Sequence, residues 1–552
     1  MHASSAAILF NDAPVHLPHP TLQCALDAGA SSELPLFTFH DTSLARPARP
    51  LTLGQLRGAA HRYARMLLAS GVRPGDRVLV LLKTSATFVE ALLGCMLAGA
   101  VPVPLPSTFT FGSKRAQLDA LSPIAASAQA AALVTSPEVR DALQEATRLR
   151  AQLRLVLTPL DLDGHGPTPR PLPSSSGSDP AFIQYTSGTT GHPKGVVISQ
   201  RALMSNASAI CSALALGPET VGASWLPLFH DMGLVGVLLT AIAHPYRLHL
   251  LPPESFLFKP RRWLELLADS GATLTAAPNF AYARCVARAE HPEELDLSAL
   301  RTVLSGAETV DAATLQRFAR HCAPAGLKST AFVPVYGLAE ATLAVTFAPL
   351  DTNLETVVRG ERTLVSVGRP LNGAACSIRD DGGRLLAQGE LGEVVVRSQS
   401  LMDGYFRDEQ ASSAALGPDG LRTGDLGFIE RGQLFITGRK KDLIIKAGRN
   451  IHPEDVELAA QRADELRLGA VAAVAHPNPD TGTEDLVVFA ETRERDLTLR
   501  QQLTTAIRGE VLASLGVTVD TVQLCPVGAL PRTTSGKIKR KQCAQRLLES
   551  EP

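Results

Sequence analysis

The segment Tyr185-Thr-Ser-Gly-Thr-Thr-Gly-His-Pro-Lys-Gly195 gathers residues suited to one kind of chemistry. Gly188, Gly191 and Gly195 let the backbone turn tightly and aim its N–H groups at an anion. Thr186, Ser187, Thr189 and Thr190 add hydroxyl donors, and Lys194 adds positive charge. The combination predicts a phosphate-binding loop. It is not a Walker A loop, because Pro193 stands where that pattern needs glycine before lysine.

Such a loop needs a strand behind it, and the short run 181–184 supplies one. Upstream, Pro74-Gly75-Asp76 reads as a turn, 77–82 as a strand, 88–97 as a helix and 99–106 as an extended piece. The rhythm returns with a strand at 131–135 and a charged helical stretch through Arg148. This alternation predicts α/β architecture with a largely parallel sheet. Residues 163–179, rich in Gly, Pro and Ser, predict a surface connection. A second boundary lies near residue 440, at Arg439-Lys-Lys-Asp442. Beyond it, strands at 443–446, 470–474 and 486–490 and a helix near 453–463 predict a small separate domain. The expected domains are 1–438 and 439–552.

The totals narrow the function classes. A chain of 552 residues suits more than one domain. With 45% hydrophobic and 19% charged residues, its composition is globular. A formal net charge of −1 supplies no basic field for nucleic acid. The eight cysteines are scattered without a Cys-x-x-Cys pair, so reduced thiols in a cytoplasmic protein are expected. The N-terminus lacks a basic n-region, and the apolar stretches are too short to span a bilayer. No integral membrane association is expected.

The glycine-rich loop resembles the signature loop of the adenylate-forming superfamily. Further segments match in the same order: Trp225-Leu-Pro-Leu-Phe-His-Asp-Met-Gly-Leu234, Leu304-Ser-Gly-Ala-Glu308, Val335-Tyr-Gly-Leu-Ala-Glu-Ala-Thr342, Leu421-Arg-Thr-Gly-Asp-Leu-Gly427, Ile436-Thr-Gly-Arg-Lys-Lys-Asp442 and Leu530-Pro-Arg-Thr-Thr-Ser-Gly-Lys537. The resemblance implies a large N-terminal domain of α/β layers with a distorted β-barrel part. A small mobile α+β C-terminal domain follows, turning on a hinge at Lys441. It also implies ATP and Mg2+ as cofactors.

Roles follow from the resemblance position by position. Glu340 matches the magnesium-binding glutamate, and Lys537 the mobile lysine between α-phosphate and substrate carboxylate. Lys194 belongs to the phosphate loop. Asp425 matches the ribose-binding aspartate and Arg439 the arginine that supports ribose or phosphate. Tyr336, beside Gly337, matches the residue against the adenine ring. Gly306, Ala307 and Glu308 match the strand edge along the adenine. His230 and Asp231, with Met232 and Gly233, fit either an interior polar pair or the substrate side. Asn279 and Phe280 fall in a second segment expected near the acyl group.

The wording of 226–234, 276–282 and 336–343 is most similar to fatty acyl-AMP ligases, and Ala339 agrees with that branch. The Phe-Asp-x-Ser pattern of peptide-synthetase domains is not seen around Phe229. Fatty acyl-AMP ligases usually carry an insertion before Gly368-Arg-Pro370, linked with withholding the acyl group from coenzyme A. Here 348–367 is short, with one brief extended piece at 356–359. The expected acceptor is an acyl carrier protein, with coenzyme A as the alternative. A third reading is an inactive homologue that binds nucleotide or lipid. A monomer or weak dimer is expected.

Overall fold

The computed structural model describes residues 6–41, 48, 50–106, 114–164, 171–186, 193–360, 362–446, 449–464, 467–478, 483–532 and 538–548.

Upstream of the loop, Val101–Pro104, Arg77–Leu81, Ala130–Thr135 and Leu155–Leu157 form a parallel sheet in that order. Val78 and Val80 enter one core, while Leu79 and Leu81 enter another. Both faces are therefore covered, which explains the unbroken apolar runs. The helix Leu53–Ala69 begins on a capping box formed by Thr52 and Gln55. It meets Ala86–Leu97 at Gly94, where a Cβ would lie 2.3 Å from Tyr63 Cβ.

The sheet that positions the site has nine strands. Pro35–Phe39, Arg247–Leu250, Val221–Ser224, Leu274–Ala277, Thr302–Ser305 and Phe332–Gly337 run parallel at its centre. Antiparallel Pro50–Thr52 flanks one side, and Ala344–Phe347 then Arg369–Pro370 the other. The shared direction brings the chain just past several strands to one end. Trp225, Asn279, Ala307 and Glu340 all lie there in sequence. Ligands of open α/β sheets bind at this carboxyl end. Aromatics pack beneath it: buried Trp225 stacks on buried Phe256 at 4.0 Å and meets half-buried Phe280 edge-on at 6.0 Å. Such pairs add about 0.5–1.5 kcal/mol beyond area burial.

The expected barrel part is not closed. Ile8–Asn11, Ala374–Arg379, Gly392–Ser398, Gly420–Glu430 and Leu416–Gly417 form an open antiparallel sheet, with Gln433–Arg439 pairing Gly420–Glu430. Its end strands are short and do not pair with each other, and closure requires a full ladder between the ends. The extended piece Thr356–Arg359 belongs to a hairpin with Arg362–Val365.

Past residue 443, the strands Leu468–Asn478, Thr483–Thr492 and Thr521–Pro526 pair, and the helices Pro453–Arg462 and Leu497–Leu515 pack on them around a core of their own. This unit meets the preceding sheet at Gly438, where φ is +152° and a Cβ would lie 3.1 Å from Glu454 Oε2. Arg362 Nε pairs with Asp455 Oδ1 at 2.9 Å across the same junction. All eight cysteines are free thiols. Among the described residues, no helix is long and apolar enough to cross a membrane.

Candidate active site

A cavity of about 560 Å³ lies along the parallel strands, within the size range of small-molecule sites. Its lining changes character. Lys194, Tyr336, Glu340, Thr423 and Arg439 form a polar part, while Ile210, Val237, Leu274, Leu304, Leu343 and Phe347 form an apolar part.

Asp425 organises the polar part without lining it. The antiparallel register sets it opposite Arg439, and Arg439 Nε reaches Asp425 Oδ1 at 2.9 Å. Tyr336 Oη donates to Asp425 Oδ2 at 2.8 Å. Thr423 Oγ1 accepts from the Asp425 amide and donates to Val394 O. Burial, then the charge on Asp425, pushes the Tyr336 phenol well above its ordinary range, so it remains a donor. The same carboxylate holds the Arg439 guanidinium up. A buried aspartate engaged on both oxygens presents a fixed negative site beside the cavity wall.

Glu340 lies on the 3-10 turn Ala339–Ala341 that follows Phe332–Gly337. The backbone beyond it is strained: Thr342 has φ +67° and ψ −53°, and Leu343 N donates to Ala341 O. Surrounding bonds hold it. Thr342 Oγ1 donates to Ser400 O at 2.7 Å. Buried Asn206 accepts from Ala344 N and donates to Ala344 O and Ser400 Oγ. Gly337 is required here, since a Cβ would lie 1.8 Å from Leu343 O. Tyr405 Oη donates to Glu340 Oε1 at 2.8 Å. Among the described residues no group of three His, Cys, Asp or Glu could hold a metal unaided. A lone carboxylate suits Mg2+, which takes its other ligands from phosphate and water oxygens.

His230 Nδ1 lies 2.6 Å from Asp231 Oδ1. Asp231 also caps the π-helix Met232–Leu239 through the Met232 amide. π-Helices are rare and concentrate at functional sites. His230, Asp231 and Met232 line the cavity, as do Thr186, Ala307, Gly337 and Lys441. Gly233, Gly306, Glu308, Asn279 and Phe280 do not line it. Gly233 fits under Pro227 O, and Gly306 against Val335. Asn279 pins the loop after Glu308 by donating to Thr309 O and accepting from Asp311 N. Phe280 belongs to the aromatic cluster. These residues support the wall.

Ser187, Gly188, Thr189, Thr190, Gly191 and Lys537 lie outside the described residues. Lys539 lines the cavity. Tyr405 and Asn206 escaped the sequence reading. The strand pairing that sets Tyr405 opposite Val196 and the clamp around Thr342 both depend on segments distant in sequence.

The sequence profile of AMP-binding enzymes matches residues 37–406. A Caulobacter vibrioides protein, provisionally named an acyl-CoA synthetase, is 34% identical over 95% of this chain and 94% of its own. The long-chain-fatty-acid–AMP ligase FadD26 of Mycobacterium marinum is 34% identical over 92% of this chain and 94% of its own. A solved structure from work on fatty acyl-adenylate ligases of E. coli and L. pneumophila superposes with a TM-score of 0.89 at 33% identity, covering 97% of this chain and 99% of that one. On these matches, the protein belongs to the AMP-binding enzyme family and, within it, to the fatty acyl-AMP ligases.

Proposed function

We propose that this protein condenses a fatty acid with ATP to form acyl-AMP and pyrophosphate, then passes the acyl group to the phosphopantetheine thiol of an acyl carrier protein. The observation that carries this reading is one continuous cavity with a cationic polar part and an apolar part. Such a cavity fits an amphiphilic product with nucleotide at one end and alkyl chain at the other.

In the first step a carboxylate oxygen attacks the α-phosphorus and pyrophosphate leaves. Both reactants are anionic, so their approach is opposed until cations neutralise them. Lys194 and Arg439 supply positive charge in the lining, and Lys537 is the residue proposed between carboxylate and phosphate. Asp425 accepts from the ribose hydroxyls, with Tyr336 and Arg439 fixing its orientation. Ala307 and Gly337 border the base. Glu340 would hold Mg2+, which supplies charge neutralisation at the phosphates when bound. His230, Asp231 and Met232 border the acyl carboxyl, and the apolar lining excludes water from the chain.

In the second step the thiol sulfur attacks the acyl carbon, the bond from that carbon to the phosphate oxygen breaks, and AMP departs. The thiol proton goes to solvent. The C-terminal domain, from residue 439, is proposed to turn about Lys441 between the two steps. Coenzyme A is the alternative acceptor, favoured by the shortness of the hairpin at 356–365.

Mass spectrometry of a reaction with Mg2+, ATP and a panel of fatty acids tests both readings, with the mixture split between coenzyme A and a phosphopantetheinylated carrier protein. Acyl carrier without acyl-CoA is the expected result. Efficient acyl-CoA formation would replace the acceptor. No acyl-AMP from any acid would overturn the proposal.

A further inference from the structure

Tyr405 sits where two reactive charges meet. The two-residue strand Gly404–Tyr405 pairs antiparallel with Lys194–Ser199, setting Tyr405 opposite Val196. Lys194 lies two residues before Val196 on the same face of its strand, and its Nζ stands 4.7 Å from the centroid of the Tyr405 ring. The phenol of that ring donates to Glu340 Oε1 at 2.8 Å. One side chain therefore touches both the loop lysine and the carboxylate proposed for the metal.

Tyr405 is itself held from behind. Its amide donates to Ser412 Oγ at 2.8 Å, and Ser412 Oγ donates to Asp408 O at 2.6 Å. Gly404 has φ +132° and a Cβ there would lie 3.0 Å from Ser412 Oγ, so the backbone can fold tightly against that serine. No other hydrogen bond or ion pair to the Glu340 carboxylate or to the Lys194 ammonium is present among the described residues.

We propose that Tyr405 is a positioning residue for adenylation: its phenol fixes Glu340 with one oxygen turned to a divalent cation, and its ring face holds Lys194 beside the phosphate site. This rests on the acyl-adenylation reading above. The donor hydrogen bond occupies Oε1 and leaves Oε2 for a hard cation, which favours one rotamer of an otherwise flexible glutamate. The ring face attracts the ammonium by cation–π interaction, so the lysine is held close without an acidic partner that would compete with phosphate.

Calorimetric titration of ATP into the full-length protein, with and without Mg2+, tests this independently of turnover. Comparing wild type, Tyr405→Phe, Glu340→Gln and the double variant isolates the phenol. The ring and its packing remain in Tyr405→Phe, so folding is expected to be retained; a thermal melt checks it. In wild type, Mg2+ should tighten ATP binding. In Tyr405→Phe that Mg2+-dependent gain should shrink about tenfold, with metal-free ATP binding unchanged. In the Glu340→Gln background, loss of the phenol should add nothing, because the residue acts through the carboxylate. An undiminished Mg2+ gain in Tyr405→Phe, or an equal loss in the Glu340→Gln background, would overturn the assignment while leaving adenylation intact. If wild type showed neither a Mg2+-dependent gain nor acyl-AMP formation, the adenylation reading would fall and this one with it.

Discussion

Tyr336 Oη donates a 2.8 Å hydrogen bond to Asp425 Oδ2, and Arg439 Nε takes the other oxygen of the same carboxylate at 2.9 Å. Three residues from three separate sequence segments thus form one unit around a buried carboxylate. Asp425→Asn replaces a charged acceptor with an amide that cannot satisfy both donors. The expected outcome is a rise of about tenfold or more in the KM for ATP, with a stability loss of about 1–3 kcal/mol from the donors left short of an acceptor. Tyr336→Phe removes one bond only and should raise the KM for ATP severalfold. Pyrophosphate exchange at varied ATP and a urea melt read both effects. An Asp425→Asn enzyme with an ordinary KM for ATP would remove Asp425 from nucleotide binding.

Gly236 sets the width of the apolar arm. It lies on the π-helix and lines the cavity opposite Leu343. A Cβ at Gly236 would stand 2.7 Å from Leu343 Cδ2, with nothing else within 4 Å. The leucine end is flexible, so a larger residue is accommodated by moving it into the cavity. Gly236→Val should therefore lower kcat/KM for long acids by about tenfold or more while sparing short ones. Adenylation rates across a chain-length series decide it; a uniform loss at all lengths would mean that the constriction lies elsewhere.

The parts legible in sequence were those with local signals. The apolar run read as 77–82 is the strand Arg77–Leu81, and the helix read at 453–463 is Pro453–Arg462. Lys194, Glu340 and Arg439 were found because each sits in a contiguous motif, and all three line one cavity. Tyr405 was missed because its partner Glu340 is 65 residues away, and Asn206 because its bonds to Ala344 span 138. No local pattern encodes such contacts; they exist only once the sheet order is known. Phe280 shows the converse. Its segment reads as apolar and near the substrate, yet whether an aromatic lines a cavity or fills the core is decided by its packing against Trp225 and Phe256. The second strand of the hairpin, Arg362–Val365, was hidden by its charged start.

Acid should loosen the nine-stranded sheet through a histidine pair. His40 Nε2, one residue past the strand Pro35–Phe39, lies 3.1 Å from His249 Nδ1 on the neighbouring parallel strand. Burial lowers His249 to about 4, with help from His40 and Arg247. Burial also lowers His40, opposed by Asp41 and Asp269. Both histidines are thus less basic folded than unfolded. Their neutral-state contribution is fully present above the ordinary value of about 6.5 and is lost as pH falls from there toward about 4, where the unfolded chain binds more protons. The slope should approach at most about 1.4 kcal/mol per pH unit for each histidine, reduced by solvent reaching these partly exposed rings. Urea melts between pH 4 and 7 should show stability falling with pH in wild type and a flatter profile in His249→Asn. Identical profiles would acquit the pair.

Arg362 joins the short hairpin to the C-terminal unit. Its Nε pairs with Asp455 Oδ1 at 2.9 Å, and its Nη1 donates to Thr437 O at 2.8 Å. Asp455 lies in the first turn of Pro453–Arg462, past the charged boundary, whereas Thr437 precedes it. One guanidinium therefore bridges both sides of the proposed hinge at Lys441. Its ion pair and its hydrogen bond leave from different nitrogens of a planar fork, a geometry that lysine does not reproduce. Arg362→Ala and Arg362→Lys should both expose Arg439-Lys-Lys to trypsin, speeding cleavage near residue 440 severalfold. If the hairpin restrains transfer, the same variants should also raise the share of acyl-CoA formed when coenzyme A is supplied, with acyl-AMP formation unchanged. Faster cleavage without a change in acceptor would assign Arg362 to holding the junction alone. Unchanged cleavage would show that the hinge does not depend on this bridge.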